Sequence, residues 1–403
     1  MQNQRKISQF EFVALMASMM SIVALGIDAL LPALSNIGEA IHSLDPTDNQ
    51  LLVTMIFLGL GVGQLFFGPL SDSFGRKPIV YLGFAVFLVG SIISIFSKSL
   101  EVMVVGRILQ GVGLSAPRTI TISIIRDLYS GDRMARVMSF ITAFFILVPV
   151  VAPALGKLIL DAFGWKAIFY FQLLFAAVII FWFYRRQVET LKPEYKVPFT
   201  GHLFADGLKE LLKYPDAILY TLVSGLITGS FLVYLSSAQH VFENLYGLRE
   251  AFPYIFAGLA ISIGVSTFMN GAMVLRFGMR KLAFTALVAF TCVGLAYVLI
   301  FWGKPNPSVY VLVAFLSAQF FCLGFVWGNL RSLAMEPIGH IAGIGAAITG
   351  FISTMISIPI ASFVGRFLND NVWPLFLGLV VCGALSVCIF KIQGRNGMLT
   401  AKN

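Results

Sequence analysis

Twelve runs of about twenty apolar residues follow one another along this chain, at roughly 9–34, 49–70, 78–97, 100–125, 134–160, 165–186, 215–238, 251–274, 281–302, 308–333, 341–365 and 372–391. Each is long enough to cross the ~30 Å hydrocarbon core of a bilayer as a helix rising about 1.5 Å per residue. With 58% apolar and only 12% charged residues, a soluble globular fold is excluded. The expected fold class is an all-α membrane protein of twelve transmembrane helices.

The distribution of basic residues orients these spans. Of the 28 Lys and Arg, 19 fall on the side of the N-terminus, six on the other side, and three, Arg107, Arg118 and Arg331, within spans. The positive-inside rule therefore predicts that both termini are cytoplasmic. The net charge of +9 belongs to topology rather than to a nucleic-acid-binding face, because the cations sit in alternate loops. Met1–Lys6 is basic and leads into a run too long for a cleaved signal, so that run is expected to stay as the first span. The four cysteines lie inside apolar runs without ligand spacing and are expected to be packing residues. No metal, cofactor or nucleotide-binding loop is expected.

The loop between the second and third runs carries a pattern of its own, Gly68-Pro-Leu-Ser-Asp72-Ser-Phe-Gly75-Arg76-Lys77. So short a connection makes its two helices antiparallel neighbours. Gly75 supplies a positive φ, and Arg76 and Lys77 hold the loop at the cytoplasmic side. The pattern recurs 203 residues later as Gly271-Ala-Met-Val-Leu275-Arg276-Phe277-Gly278-Met279-Arg280-Lys281, with Leu275 in the place of Asp72. Two copies of one cytoplasmic turn in the same orientation indicate a parallel internal duplication. Residues 1–186 and 215–403 are expected to form two six-helix bundles related by a pseudo-two-fold. Between them, 187–214 is a polar linker whose His202–Tyr214 segment reads as an amphipathic helix on the inner membrane surface.

Charges inside spans are costly and so mark function. Asp28 lies late in the first span, before Leu30, Leu31 and Pro32, and Arg107 enters the fourth span at similar depth. Burial favours a neutral carboxyl and a neighbouring guanidinium favours the anion, so a carboxyl that moves between the two exchanges a proton. An Asp28 that merely caps the outer end of its helix in headgroup water is the competing reading. Arg118 follows Arg107 by eleven residues on nearly the same helical face, so both cations are expected to point into one cleft; structural bonding to backbone carbonyls is the alternative. Pro149, Pro153 and Gly156 put helix breakers and a close-approach site into the fifth span, as a packing kink or a gate. Gly59, Gly61, Gly63, Gly343, Gly345 and Gly350 are expected to mark close contact between spans 2 and 11, with Asp72 near the N-terminus of the eleventh helix. Apolar walls of a substrate pocket are expected from Met20, Leu147, Phe231, Tyr234, Phe320 and Phe321.

Taken together, Asp28…Pro32, Gly68–Lys77, Arg107…Gln110-Gly111, Arg126-Asp127, Gly164-Trp165-Lys166 and Met335-Glu336-Pro337-Ile338-Gly339-His340-Ile341-Ala342-Gly343 resemble the drug/proton antiporter branch of the major facilitator superfamily. They are most similar to its bicyclomycin and chloramphenicol resistance (Bcr/CflA) family. The resemblance implies export of varied hydrophobic small molecules in exchange for protons across a bacterial inner membrane, by a monomer, with Asp28 and Arg107 as coupling elements. It has departures. The fifth span reads Ala152-Pro153-Ala-Leu-Gly156-Lys157, where the family's antiporter signature reads Gly-Pro-x-x-Gly-Gly. No second acid stands in Ser18-Met19-Met20-Ser21, which favours neutral or anionic substrates over lipophilic cations. The alternatives are proton-coupled uptake of a metabolite and a non-transporting membrane receptor or scaffold.

Overall fold

The computed structural model describes residues 8–43, 46–129, 131–196 and 202–400. Met1–Lys6 and the side chains of Arg133, Arg136 and His340 lie outside the described residues. Among the described residues, twelve helices of at least 20 residues follow the twelve apolar runs. They are α1 (Gln9–Asp28), α2 (Leu51–Phe74), α3 (Arg76–Ile95), α4 (Leu100–Leu128), α5 (Gly131–Phe163), α6 (Trp165–Arg186), α7 (Pro215–Gln239), α8 (Phe252–Phe277), α9 (Met279–Ile300), α10 (Val309–Met335), α11 (Ala342–Gly365) and α12 (Trp373–Thr400). Eleven of these positions are long and apolar enough, among the described residues, to cross a membrane. The remaining helix, α5, runs unbroken for 33 residues through Pro149 and Pro153. The chain is a multi-pass membrane protein.

Two compact units form, one from Met1–His42 and Gly59–Thr200, the other from Ser43–Leu58 and Gly201–Asn403. In the first, α3 and α4 lie backbone to backbone. A Cβ on Gly113 would come within 2.4 Å of the Phe87 nitrogen, and one on Gly90 within 2.6 Å of the Gln110 nitrogen, so only glycine permits this approach. The same holds between α2 and α4, where a Cβ on Gly59 would lie 2.0 Å from the carbonyl oxygen of Ile108 and one on Gly63 would run into Ser115. For four of the six glycines expected to join spans 2 and 11, the neighbours differ from that expectation. Gly59 and Gly63 serve contact with α4 inside the first unit, Gly345 sits beside Ile338, and Gly343 faces open space. Glycine spacing reveals that a helix is approached closely, but not which neighbour approaches it.

The second unit uses the same device at different places. Gly225 and Gly229 of α7 seat Ile356 and Ile360 of α11, and Gly324 of α10 meets Ser266 of α8. The first residues of α2 belong with this unit, where Gln50 fills the space beside Gly365. A linker helix, Leu203–Leu212, docks on α11 through Gly207, which touches Ile344 and Ile348, and through buried Leu211. Leu208 and Leu212 remain exposed along its side.

Candidate functional site

The first site is built where α1 stops. Pro32 has no N–H, so the carbonyl of Asp28 four residues earlier has no helical donor, and the chain leaves α1 for a short 3-10 turn over Leu31–Ala33. The break lies inside the protein, since Leu30 and Leu31 are fully buried and Asp28 is only 5% exposed. Side chains from other helices bond carbonyls in the last turn of α1. Arg107 of α4 donates through both terminal nitrogens to the carbonyl of Gly26, at 3.1 and 3.2 Å, and to Gln110 Oε1 at 2.8 Å. Gln110 is fixed in turn by donating to Ser91 of α3 at 2.8 Å. Gln172 of α6 donates to the carbonyl of Leu25 at 3.3 Å. From α5, Gly156 presses on the backbone of Ala29, where a Cβ would lie 2.0 Å from its carbonyl oxygen.

Arg107 is fully buried and Asp28 nearly so, both against one turn of α1. The guanidinium holds the carbonyl two residues before Asp28, while the Asp28 carboxyl has no hydrogen bond or ion pair among the described residues. Arg118, farther along α4, is half-buried. Pro153 and Gly156 are buried and Pro149 is half-buried. Gln110 was legible only through the resemblance, and Gln172 went unnoticed. The signal for Gln172 was an uncharged polar residue alone in the apolar run of α6.

The Gly68–Lys77 loop is a second centre. Gly75 has φ +107° and α3 begins at the next residue. Arg76 is 2% exposed. It bonds Asp127 of α4 through Nε at 2.9 Å and Nη2 at 3.3 Å, and through Nη1 it bonds Ser71 at 2.8 Å and Asp72. Glu189, beyond α6, accepts from the backbone N–H groups of Arg76 and Lys77, both at 3.0 Å, and so caps α3 from 113 residues away in sequence. Lys77 donates to the carbonyl of Gln187 at 2.7 Å. The pair expected to mark topology is therefore also the hub joining neighbouring ends of α2, α3, α4 and α6.

Of the residues expected to wall a pocket, Phe231, Tyr234 and Phe320 meet in the second unit. Tyr234 stacks edge-on against Phe320 at 4.7 Å between ring centroids, and Phe231 reaches Phe320 at 5.6 Å and Trp327 at 4.9 Å. Phe321 stands outside this cluster, paired with Phe325. In the first unit Met20 is half-buried and Leu147 is 56% exposed.

Residues 16–362 match the Major Facilitator Superfamily. The chain belongs to that superfamily. Its relatives include a bicyclomycin resistance protein homolog of Haemophilus influenzae, 27% identical over 98% of both chains. A chloramphenicol resistance protein of Pseudomonas aeruginosa is 29% identical over 93% of this chain and 90% of its own length. Among solved structures, a D-xylose-proton symporter aligns with a TM-score of 0.72 at 15% identity, covering 94% of this chain and 97% of its own. The human organic anion transporter MFSD10 aligns at 0.66 with 18% identity, covering 96% and 100%. These two likenesses carry the twelve-helix, two-bundle architecture of the superfamily and nothing of substrate.

Proposed function

We propose that this major facilitator protein exports small, largely hydrophobic drug-like molecules in exchange for protons, with Asp28 as the group that carries the proton. The relatives named for bicyclomycin and chloramphenicol resistance support drug efflux as the direction and substrate class. The observation that carries the coupling role is a carboxyl buried to 5% exposure, without a hydrogen-bond partner among the described residues, two residues from a carbonyl clamped by a buried guanidinium. A carboxyl so placed is tolerated when protonated, whereas its anion needs donors or water. Rocking of the helix bundles that brings water or Arg107 nearer to Asp28 would release the proton. Arg107 and Arg118 leave room for neutral or anionic substrates. The reading places the protein as a monomer in a bacterial inner membrane with both termini cytoplasmic.

The test is reconstitution in vesicles under an imposed pH gradient, with chloramphenicol as the probe and internal pH followed alongside it. Export in exchange for protons moves the two in opposite directions, and Asp28→Asn abolishes the gradient-driven part. Wild-type coupling in Asp28→Asn removes Asp28 from the mechanism. Drug and proton moving together would instead establish symport.

A further inference from the structure

Gln172 is fully buried, its Nε2 is spent on the Leu25 carbonyl, and its Oε1 has no hydrogen-bond partner. A buried acceptor left unsatisfied costs free energy unless something donates to it. The nearest turn supplies a candidate donor. Leu25 and Asp28 are three residues apart on α1 and share a face, and helical side chains lean toward the N-terminus, so the Asp28 carboxyl lies over the turn that Gln172 grips. Two buried polar groups, an acceptor without a donor and a carboxyl without a partner, thus adjoin the same turn.

We infer that Gln172 is a positioning residue for the coupled proton: its Oε1 accepts the hydrogen bond of the protonated Asp28 carboxyl, directly or through one water. A hydronium reaching the site gives its proton to the Asp28 carboxylate and leaves as water, and the new O–H donates to Gln172. The inference rests on the coupling role proposed for Asp28 and says what stabilises its loaded state. Of the charged groups on the helices packed against α1, Arg107 engages Gly26 and Gln110, and on α5 Lys157 pairs with Asp161 at 2.9 Å. On α6, Lys166 lies over Trp165 at the outer end, while Arg186 pairs with Glu11 and Arg185 lies over Phe181 at the other end. Among the described residues, none of these bonds the Asp28 carboxyl. Gln172 is a buried uncharged polar group with an unfilled acceptor beside the same turn.

The experiment is an infrared titration of the carboxyl stretch in the full-length protein in vesicles, with the Asp28 band identified as the one missing from Asp28→Asn. In Gln172→Leu the protonated acid loses its acceptor, so the band titrates about one pH unit lower than in the wild type and moves to the frequency of a free carboxyl. In Gln172→Glu two carboxyls share one proton, and the midpoint moves to higher pH. Gln172→Leu loses the bond to Leu25 and Gln172→Glu keeps it only while its new carboxyl is protonated, so the Gln172→Leu midpoint is the deciding one, and a midpoint that stays or rises there overturns the inference. Should Gln172→Leu not reconstitute, Gln172→Met, which also lacks the amide acceptor, is expected to give the same downward shift, and its absence overturns the inference. An Asp28 band that titrates identically in all three proteins sinks this inference and leaves the coupling role standing; undiminished gradient-driven export in Asp28→Asn sinks the coupling role itself.

Discussion

The two glycine turns of the duplicated sequence share a backbone and differ in chemistry. Gly75 and Gly278 both take positive φ, +107° and +79°, with ψ of 156° and 147°, and each is followed at once by a helix. At the first turn, the arginine directly after the glycine is buried against two carboxylates, and Glu189 caps the helix behind it. At the second, Met279 stands in that place, the basic pair is displaced by one residue to Arg280 and Lys281, and among the described residues no side chain caps the helix. Leu275, in the place of Asp72, is 92% exposed. The second turn instead borders an open groove of about 860 Å³ that is also lined by Asp216, Glu336 and Lys391. Backbone geometry needs only a glycine at the right step. An ion-pair hub needs the cation in register with its acids, and a one-residue offset removes it.

The largest effect that sharpens this contrast is Arg76→Ala, which leaves Asp72 and Asp127 without their cation. A loss of about 3 kcal/mol is expected, read as a clear fall in thermal unfolding temperature in detergent. Arg280→Ala, at an exposed cation without an ion pair among the described residues, is expected to stay within about 0.5 kcal/mol. Equal losses in the two would break the comparison. Gly59→Ala follows, since its Cβ has no room beside Ile108, and should cost roughly 1–3 kcal/mol, whereas Gly343→Ala, with nothing within 4 Å, should be nearly silent. Glu189→Ala uncaps α3 and should cost about 1 kcal/mol by the same melting assay. Smallest is the double change Leu275→Asp with Met279→Arg, which restores the i,i+4 pair of the first turn at an exposed site. A gain of about 0.3–0.5 kcal/mol is expected, and a gain as large as the Arg76→Ala loss would mean that the pair alone makes the hub.

Much of the site was legible one residue at a time. Asp28 and Arg107 stood out because charge in an apolar run is expensive wherever it points. Gly75 stood out because a turn that tight needs positive φ. Gln172 and Glu189 did not, since an amide in a span is cheap enough to pass unnoticed and an acid in a polar linker is ordinary. The neighbour expected for Gly59 and Gly63 was misassigned for a similar reason, as a small residue licenses a close neighbour without naming it.

The sequence by itself determined the helices, their order across the membrane, the duplicated turn and the buried charges, because hydrocarbon makes each span satisfy its own backbone and taxes each charge locally. Only the tertiary structure decided what those charges hold. Arg107 grips a carbonyl 81 residues away, Arg76 an acid 51 away, and Gln172 a carbonyl 147 away. Such partners are chosen by which helices touch and at what rotation, and that emerges from close packing of whole surfaces rather than from any local rule.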